Sequence, residues 1–200
     1  MADVEAILEA VVPSLLGRYG EPARHYHNAE HIRECLAHFQ QLKTECMEPD
    51  LVELAIWFHD AVYDATRVDN ERRSAELAAE MLRSVGAAER EIVRVQEHIM
   101  ATRHQAVPVD PDSKLVVDID LAILAAPQAR FDAYERAIRL EYAHVDEAAF
   151  ITGRIAVLRG FASRERIYGT DEGQRRWELS ARMNIERSIA SLMARDGSGG

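Results

Sequence analysis

The sequence predicts an all-α fold, a single-domain helical bundle, on three observations. Apolar residues recur at intervals of three and four along most of the chain, which is the period of a helix with one buried face. Gly20, Pro49, Gly86 and Pro127 stand where these periodic stretches stop. The one stretch with strand character, "VVDID" at 116–120, has no second strand to pair with, so a sheet is not expected.

Nine helical stretches follow one another along the chain. They are predicted over residues 4–20, 28–42, 51–64, 71–86, 87–102, 114–126, 129–145, 147–164 and 172–194. The first ends at Gly20. The second carries Ile32, Leu36 and Phe39 on one stripe, which is typical of a helix with one buried face. The segment 48–50, with its central proline, is a break before the third.

Apolar periodicity, capping residues, glycines and prolines also predict the bounds of the remaining helices. The third stretch is apolar on most sides, which predicts that it is buried. Asp69 or Asn70 can cap the fourth, which ends at Gly86. Residues 103–113, with two prolines and no periodicity, are predicted to form the longest loop. The sixth stretch stops before Pro127, and the last three keep the helical period.

The length fits one domain over residues 1–195, followed by a flexible tail at 196–200. A chain of 200 residues can bury a sizeable core without disulfides. Cys35 and Cys46 do not form a CxxC pair and are expected to be free thiols in a reducing cytoplasm. The acidic start "MADVEAILEA" is not expected to be a secretory signal, so a cytoplasmic location is predicted.

The charge and hydropathy of the chain narrow its expected partners. The formal net charge is −10, and a general nucleic-acid binder needs a basic footprint, so polymeric nucleic acid is not expected. No apolar run approaches the roughly 20 residues that span a bilayer, so a membrane is not expected either. An acidic protein can bind a small phosphate ester when a divalent cation reverses the local field. A homodimer is compatible with these properties.

Three histidines crowd into "HYHNAEHI" at 25–32. His27 and His31 are four residues apart and share one face of the predicted helix. His38 lies two turns beyond His31, roughly 10 Å away at 1.5 Å per residue, so one metal ion cannot bind all three. Each of these imidazoles, taken alone, is more simply explained by capping, packing or solvent exposure.

A histidine directly precedes an aspartate within the predicted third helix. His59 and Asp60 would point about 100° apart on a helix, so they converge on one ion only if it lies between their two faces. An unpaired carboxylate in an apolar helix is costly. A divalent metal is one solution, because imidazole and carboxylate suit Mn, Fe, Co, Ni and Zn. A buried, hydrogen-bonded His-Asp pair is the alternative.

Further candidate ligands lie later in the chain. Asp118 and Asp120 would point roughly 200° apart on a helix, so only one should face a given site. His98 and His104 can reach one site only if the helix ends between them, as the loop signal after Thr102 indicates. His98 is better explained as a packed or exposed histidine. His104 is a candidate for contacting substrate or for bracing a ligand.

These residues, taken together, resemble the H…HD…D pattern of HD-domain metal-dependent phosphohydrolases. The chain is similar in particular to a bacterial group described only as predicted HD-superfamily phosphohydrolases. The shared phrases are "YHNAEHI", "AIWFHDAVYD", "DNERRSAELA", "IMATRH", "DIDLAIL", "IRLEYAHV" and "WELSARMNI". The resemblance covers about residues 15–193. It implies an all-helical bundle of the HD-domain type with a metal at its centre.

The resemblance also implies roles for single residues. The implied metal ligands are His31, His59, Asp60 and Asp120, with Asp118 bracing the site. The implied cofactor is one divalent metal, which is Mn, Fe, Co, Ni, Zn or Mg. Asp64 and Glu71 are the candidate catalytic bases, although an acid such as Glu71 in the first turn of a helix commonly faces the helix dipole. The implied substrate-binding residues are Arg24, His27, Asn28, Tyr63, Arg103, His104 and Lys114.

The expected function is that of a metal-dependent phosphohydrolase. The enzyme would act as a phosphomonoesterase or as a phosphodiesterase or pyrophosphohydrolase on a small phosphorylated molecule, such as a nucleotide. One alternative is a two-iron oxygenase of the same fold, which needs additional histidines, with His98 and His104 as the candidates. The other is a non-catalytic module that binds a nucleotide in the same pocket.

Overall fold

The computed structural model describes residues 4–196, and its regular structure in this range is helical, which confirms the all-α prediction. The helices are α1 (Val4–Tyr19), α2 (Ala29–Leu42), α3 (Pro49–Phe58), α4 (Asn70–Ser84), α5 (Glu89–Ala101), α6 (Pro111–Asp120), α7 (Gln128–Glu141), α8 (Glu147–Ala162) and α9 (Asp171–Asp196). Short 3₁₀ helices cover Lys43–Glu45 and Leu121–Ala125. Within the described range, no helix is both long and apolar enough to cross a membrane.

The chain divides into two compact units, which meet in sequence between Asp120 and Leu121. The first unit contains α1 to α6, and the second contains α7 to α9 with the second 3₁₀ helix. The prediction of one domain over residues 1–195 stays a prediction. Of the predicted tail at 196–200, residue 196 ends α9 and the others lie outside the described residues.

Helix α3 is the centre of the first unit. It packs against α1, α2, α4, α5 and α6, and Val52, Ala55, Ile56 and Phe58 are fully buried along it. A helix that is apolar on most sides is stable only when neighbours surround it. The sequence-based expectation that this segment is buried is therefore confirmed.

Helices α3 and α6 run parallel and end at the same place. At their beginnings, the buried carboxylate of Asp112 accepts hydrogen bonds from the backbone N–H groups of Met47 (2.9 Å) and Glu48 (2.8 Å), the two residues that precede α3. At their ends, His59 follows α3 and Asp120 closes α6, with Nε2 and Oδ1 3.5 Å apart. Each helix has 10 residues, about 15 Å at 1.5 Å per residue, so equal lengths bring both ends together.

The predicted bounds of the third and sixth helices are wrong next to the potential ligands. The third was expected to continue to Asp64, but α3 ends at Phe58 and the chain turns through residues 59–63. The sixth was expected to begin at Lys114, but α6 begins at Pro111, since the carboxylate of Asp110 accepts from the N–H of Ser113 at 2.8 Å. Helix α6 also ends at Asp120 rather than at the predicted residue 126. The ends of α3 and α6 therefore place His59, Asp60 and Asp120 at helix termini.

The second unit is held together by buried polar groups as well as apolar packing. The amide of Asn184 donates to the carbonyls of Leu124 and Ala126, both at 2.9 Å. The Glu135 carboxylate accepts from the guanidinium of Arg154 and from the Ser188 hydroxyl. These bonds join α7, α8, α9 and the segment that precedes α7.

Candidate metal centre

Three separate segments of the first unit bring four potential ligands together. His31 lies in the first turn of α2, where the side chain of Asn28 caps the helix by accepting from the N–H groups of Glu30 (2.8 Å) and His31 (3.4 Å). His59 and Asp60 follow the last residue of α3, and Asp120 is the last residue of α6. The side chains point inward, and both histidines are buried.

The donor atoms are spaced as ligands of one ion are spaced. His31 Nε2 lies 3.1 Å from His59 Nε2 and 3.2 Å from Asp120 Oδ1, and His59 Nε2 lies 3.1 Å from Asp60 Oδ2. One ligand atom from each of the four residues lies within 4.8 Å of the other three. Ligands about 2.0–2.2 Å from an ion stand roughly 2.9–3.5 Å from their neighbours in tetrahedral or octahedral arrangements. The four residues can therefore hold a metal ion.

The chemistry of the donors calls for a cation among them. His59 Nδ1 lies 2.9 Å from the carbonyl oxygen of Ile56, and because a carbonyl only accepts, Nδ1 carries the hydrogen. In the neutral imidazole, Nε2 then turns its lone pair toward a second imidazole nitrogen and toward carboxylate oxygens. Lone pairs at about 3 Å from one another repel unless a proton or a metal ion lies between them. The donor set fits a divalent cation.

The pKa values of the cluster show how strongly its charges are coupled. Burial by itself lowers the pKa of His59, but the charge of Asp60 and hydrogen bonds to Asp120 and Asp60 raise it well above its ordinary value. Burial by itself raises the pKa of Asp120, but hydrogen bonds from His104, His31 and His59 hold it well below its ordinary value. Without a metal, these directions favour ionised carboxylates whose charge is balanced by protonated imidazoles.

Two further side chains touch the ligands. His104 Nε2 lies 3.0 Å from Asp120 Oδ2, so the second oxygen of this carboxylate is held while the first faces the cluster. His104 has a φ of 56°, a left-handed conformation that is costly for a residue other than glycine. Cys35, one turn after His31 in α2, places Sγ 3.7 Å from His31 Nδ1. His104 therefore combines a strained backbone conformation with a contact between its imidazole and Asp120.

Besides His104, the structure places four of the predicted substrate-binding residues beside the cluster. The rings of His27 and Tyr63 are stacked, with centroids 4.0 Å apart. The charge of His27 contributes to the lowered pKa of Asp60, after that of His59. The amide of Asn28 serves as the cap of α2. The guanidinium of Arg24 is buried and donates to backbone carbonyls, so it is not turned toward a substrate.

The other predicted functional residues are less closely tied to the cluster. Asp64 is exposed, and its carboxylate accepts from the N–H and the hydroxyl of Thr66, which lowers its pKa. Glu71 is half-buried in the first turn of α4. Arg103 is exposed beside His104 in the chain, and the ammonium-bearing Lys114 is half-buried on α6.

Several histidines and acids weighed in the sequence lie outside the cluster. His98 is fully buried on α5, and its Nδ1 lies 2.9 Å from the Ser113 hydroxyl. Asp118 is also fully buried but does not join the four ligands. The contact of Cys35 with a ligand histidine was missed, although a spacing of four residues on α2 was a signal for it. The contacts of Arg24 with the turn after α3 had no sequence signal.

Comparison with known proteins adds no relative. No family model, no curated protein and no solved structure matches this chain.

Proposed function

We propose that this protein is a metal-dependent phosphohydrolase of the HD-domain type that acts on a small phosphorylated molecule such as a nucleotide. The observation that carries the proposal is the meeting of His31, His59, Asp60 and Asp120, which come from three helix termini, at distances that suit one ion. Their order along the chain is H…HD…D, the order on which the resemblance to HD-domain phosphohydrolases rests. An all-helical fold agrees with this class.

The donor set favours a transition metal. Two imidazoles and two carboxylates suit Mn, Fe, Co, Ni or Zn better than Mg, which prefers oxygen ligands and retains water. An ion with four protein ligands has positions left for water and substrate when its coordination is octahedral, and it supplies Lewis acidity to the reaction. The chain's own part is to keep the donors in place, which the hydrogen bonds of His59 to Ile56 and of Asp120 to His104 support.

The surrounding side chains divide the remaining tasks. Asp64 and Glu71 are the candidate proton acceptors. The lowered pKa of Asp64 makes it a weaker base than an ordinary aspartate. Arg103 and Lys114 are the candidates for holding phosphate oxygens, since the guanidinium of Arg24 is engaged elsewhere. His27, stacked on Tyr63, is a candidate for stabilising developing charge beside Asp60.

The observations weigh against a two-iron oxygenase. That alternative needs further histidines among the ligands, and His98 is bonded to Ser113 rather than turned to the cluster. A non-catalytic binding module would have less use for free coordination positions. Metal analysis would recognise the first alternative by two irons per chain, and the failure to cleave any phosphate ester would recognise both.

The test is a hydrolysis assay with matched histidine variants. Metal-free protein is supplied with Mn²⁺, Co²⁺, Ni²⁺ or Mg²⁺ and incubated with nucleotides, sugar phosphates and an aryl phosphodiester. We expect metal-dependent cleavage of at least one class, which H31A abolishes. The control is H144A, an exposed histidine in the second unit, which should retain full activity. No cleavage of any of these substrates with any metal, or full activity in H31A, would overturn the proposal.

A second comparison assigns the base. If Glu71 accepts the proton, E71Q lowers kcat by about 10²–10⁴-fold and D64N does not, which is the usual contribution of a general base. The reverse result assigns the role to Asp64. Equal activity of both variants and the wild type would mean that neither carboxylate is the base.

A further inference from the structure

We propose that Arg24 is a positioning residue that gives the His59–Asp60 pair its chelating geometry. The inference deepens the proposed function, on which it rests, and gives Arg24 a role other than binding phosphate. The Arg24 side chain is 2% exposed, and its guanidinium carbon lies 5.4 Å from the ring centroid of Tyr19 and 5.9 Å from that of Tyr63.

The guanidinium ties two distant segments together. Its Nη1 donates to the carbonyl of Asp60 at 2.6 Å and to that of His27 at 3.2 Å. Its Nη2 donates to the carbonyl of Ala61 at 3.1 Å, and its Nε donates to Glu21 at 3.0 Å. One planar group thus satisfies three backbone carbonyls, a task for which a guanidinium is suited and an ammonium is not.

Two of these carbonyls, those of Asp60 and Ala61, belong to the turn that follows α3 and that contains the potential ligands His59 and Asp60. On a continuing helix, His59 and Asp60 would point about 100° apart. Because α3 ends at Phe58, the backbone turns, and His59 Nε2 and Asp60 Oδ2 come within 3.1 Å of each other. Carbonyls released at a helix end must find donors when they are buried. Arg24 supplies donors to the carbonyls of Asp60 and Ala61, and so it stabilises the turn on which the chelating pair depends.

The second unit contains an arginine with a similar set of hydrogen-bond partners, although its side chain is 32% exposed. Arg182 donates through Nε to Glu178 at 2.8 Å, through Nη1 to the carbonyl of Ala162 at 3.1 Å, and through Nη2 to those of Arg164 and Glu165 at 3.0 Å. It therefore also joins one glutamate and three backbone carbonyls, but none of them belongs to a potential metal ligand. Substitution of Arg182 reports the cost of losing such a group without any effect on ligands.

The experiment compares R24K and R182K in the 200-residue chain. Co²⁺ is titrated into metal-free wild type and variants, and binding is followed by the visible absorption of the ion, while circular dichroism monitors folding. We expect R24K to bind Co²⁺ about 10–100-fold more weakly, which is the usual cost of losing an outer partner of a ligand. Its absorption bands should shift as the geometry changes. R182K should keep the affinity and the spectrum of the wild type.

The outcomes separate this inference from the proposed function. If the wild type binds Co²⁺ and R24K is folded with unchanged affinity and spectrum, the role of Arg24 is wrong and the proposed function stands. If R24K and R182K lose affinity equally, the effect is one of general stability and the inference is also wrong. If the wild type binds no metal, the proposed function itself fails.

A milder variant covers the case in which R24K does not fold. Glu21 is half exposed and contacts Nε of Arg24, so E21Q loosens the guanidinium without removing it. We expect E21Q to be folded and to bind Co²⁺ several-fold more weakly than the wild type. Unchanged Co²⁺ affinity in folded E21Q would overturn the inference.

Discussion

Each unit of the protein contains a buried or partly buried cluster of charged groups, and the carboxylates of the two clusters are neutralised by different cations. In the second unit, the carboxylate of Glu135 is neutralised by Arg154 and also accepts from Ser188. In the first unit, the carboxylates of Asp60 and Asp120 face imidazoles, whose charge depends on bound protons. The cation of the second unit is a guanidinium that stays charged. The cations of the first unit are protonated imidazoles, whose protons can be replaced by a metal ion.

The difference separates a structural network from a binding site. A guanidinium stays charged at any ordinary pH, so the Glu135 cluster is complete without help from solution. Protons on buried imidazoles can be displaced by a divalent cation that offers the same charge in less space. The cluster of the first unit is therefore expected to exchange its cation, and that of the second is not.

Removal of a ligand should have the largest effect. We expect D120N to weaken metal binding by more than the roughly 100-fold that loss of an outer partner costs, because it removes a direct donor. Calorimetric titration with Co²⁺ measures this. The matched variant E135Q should bind Co²⁺ as the wild type does. Wild-type affinity in D120N would show that the cluster is not the site.

Removal of the Glu135 carboxylate should instead cost stability. E135Q leaves the buried guanidinium of Arg154 without its charge partner, which costs about 3 kcal/mol, or roughly 6–12 °C in Tm for a chain of this size. Thermal melts with metal and with chelator measure this. The loss should be the same in both, since no metal interacts with this cluster. A loss seen only with chelator would contradict the distinction.

A third buried carboxylate, that of Asp112, is stabilised by backbone N–H groups. D112A removes both acceptors of the N–H groups that precede α3 and should cost about 2 kcal/mol, or roughly 4–8 °C in Tm. D112N keeps one acceptor and should lose about half as much. Differential scanning calorimetry checks both values. No change in D112A would mean that water replaces the carboxylate at little cost.

The sequence predicted the helices well and their interruptions poorly. The second helix was predicted over 28–42, and α2 covers Ala29–Leu42 with Asn28 as its N-cap. The residues of α3 and of the turn after it read as one apolar helix, because no glycine or proline marks the end at Phe58. That end is stabilised by Arg24, 36 residues away from Asp60, and such a tertiary hydrogen bond has no local sequence signal.

The early start of α6 did have a signal. Asp110 followed by Pro111 is a cap and a first helical residue, but the two prolines of the segment favoured a loop. The four potential ligands were indicated by residue type and by the resemblance to HD-domain proteins. Their meeting depends on the parallel packing of α3 and α6, which helical periodicity does not predict. The left-handed backbone of His104 and its contact with Asp120 likewise have no local sequence signal.

The smallest expected effect is the response of the two clusters to pH. The charge of Asp60 helps to raise the pKa of His59 well above its ordinary value, so this histidine stabilises the metal-free protein fully below about pH 6.5. That contribution is lost as pH rises through the raised pKa. A metal ion must displace the same protons, so its affinity should rise with pH, by about tenfold per unit for each proton displaced.

Thermal melts at pH 6, 7 and 8 with and without Mn²⁺ measure this response. The increase in Tm caused by the metal should grow with pH, whereas the loss caused by E135Q should stay constant, since Arg154 does not titrate in this range. A metal-induced increase that shrinks as pH rises would contradict the assignment of the imidazoles as ligands.

The most direct test of the metal centre is a calorimetric titration of metal-free protein with Co²⁺ in two buffers of different ionisation enthalpy. The account predicts one ion bound per chain, with release of protons from the cluster and with loss of binding in D120N. The absence of saturable binding, or binding that releases no protons and persists in D120N, would contradict it.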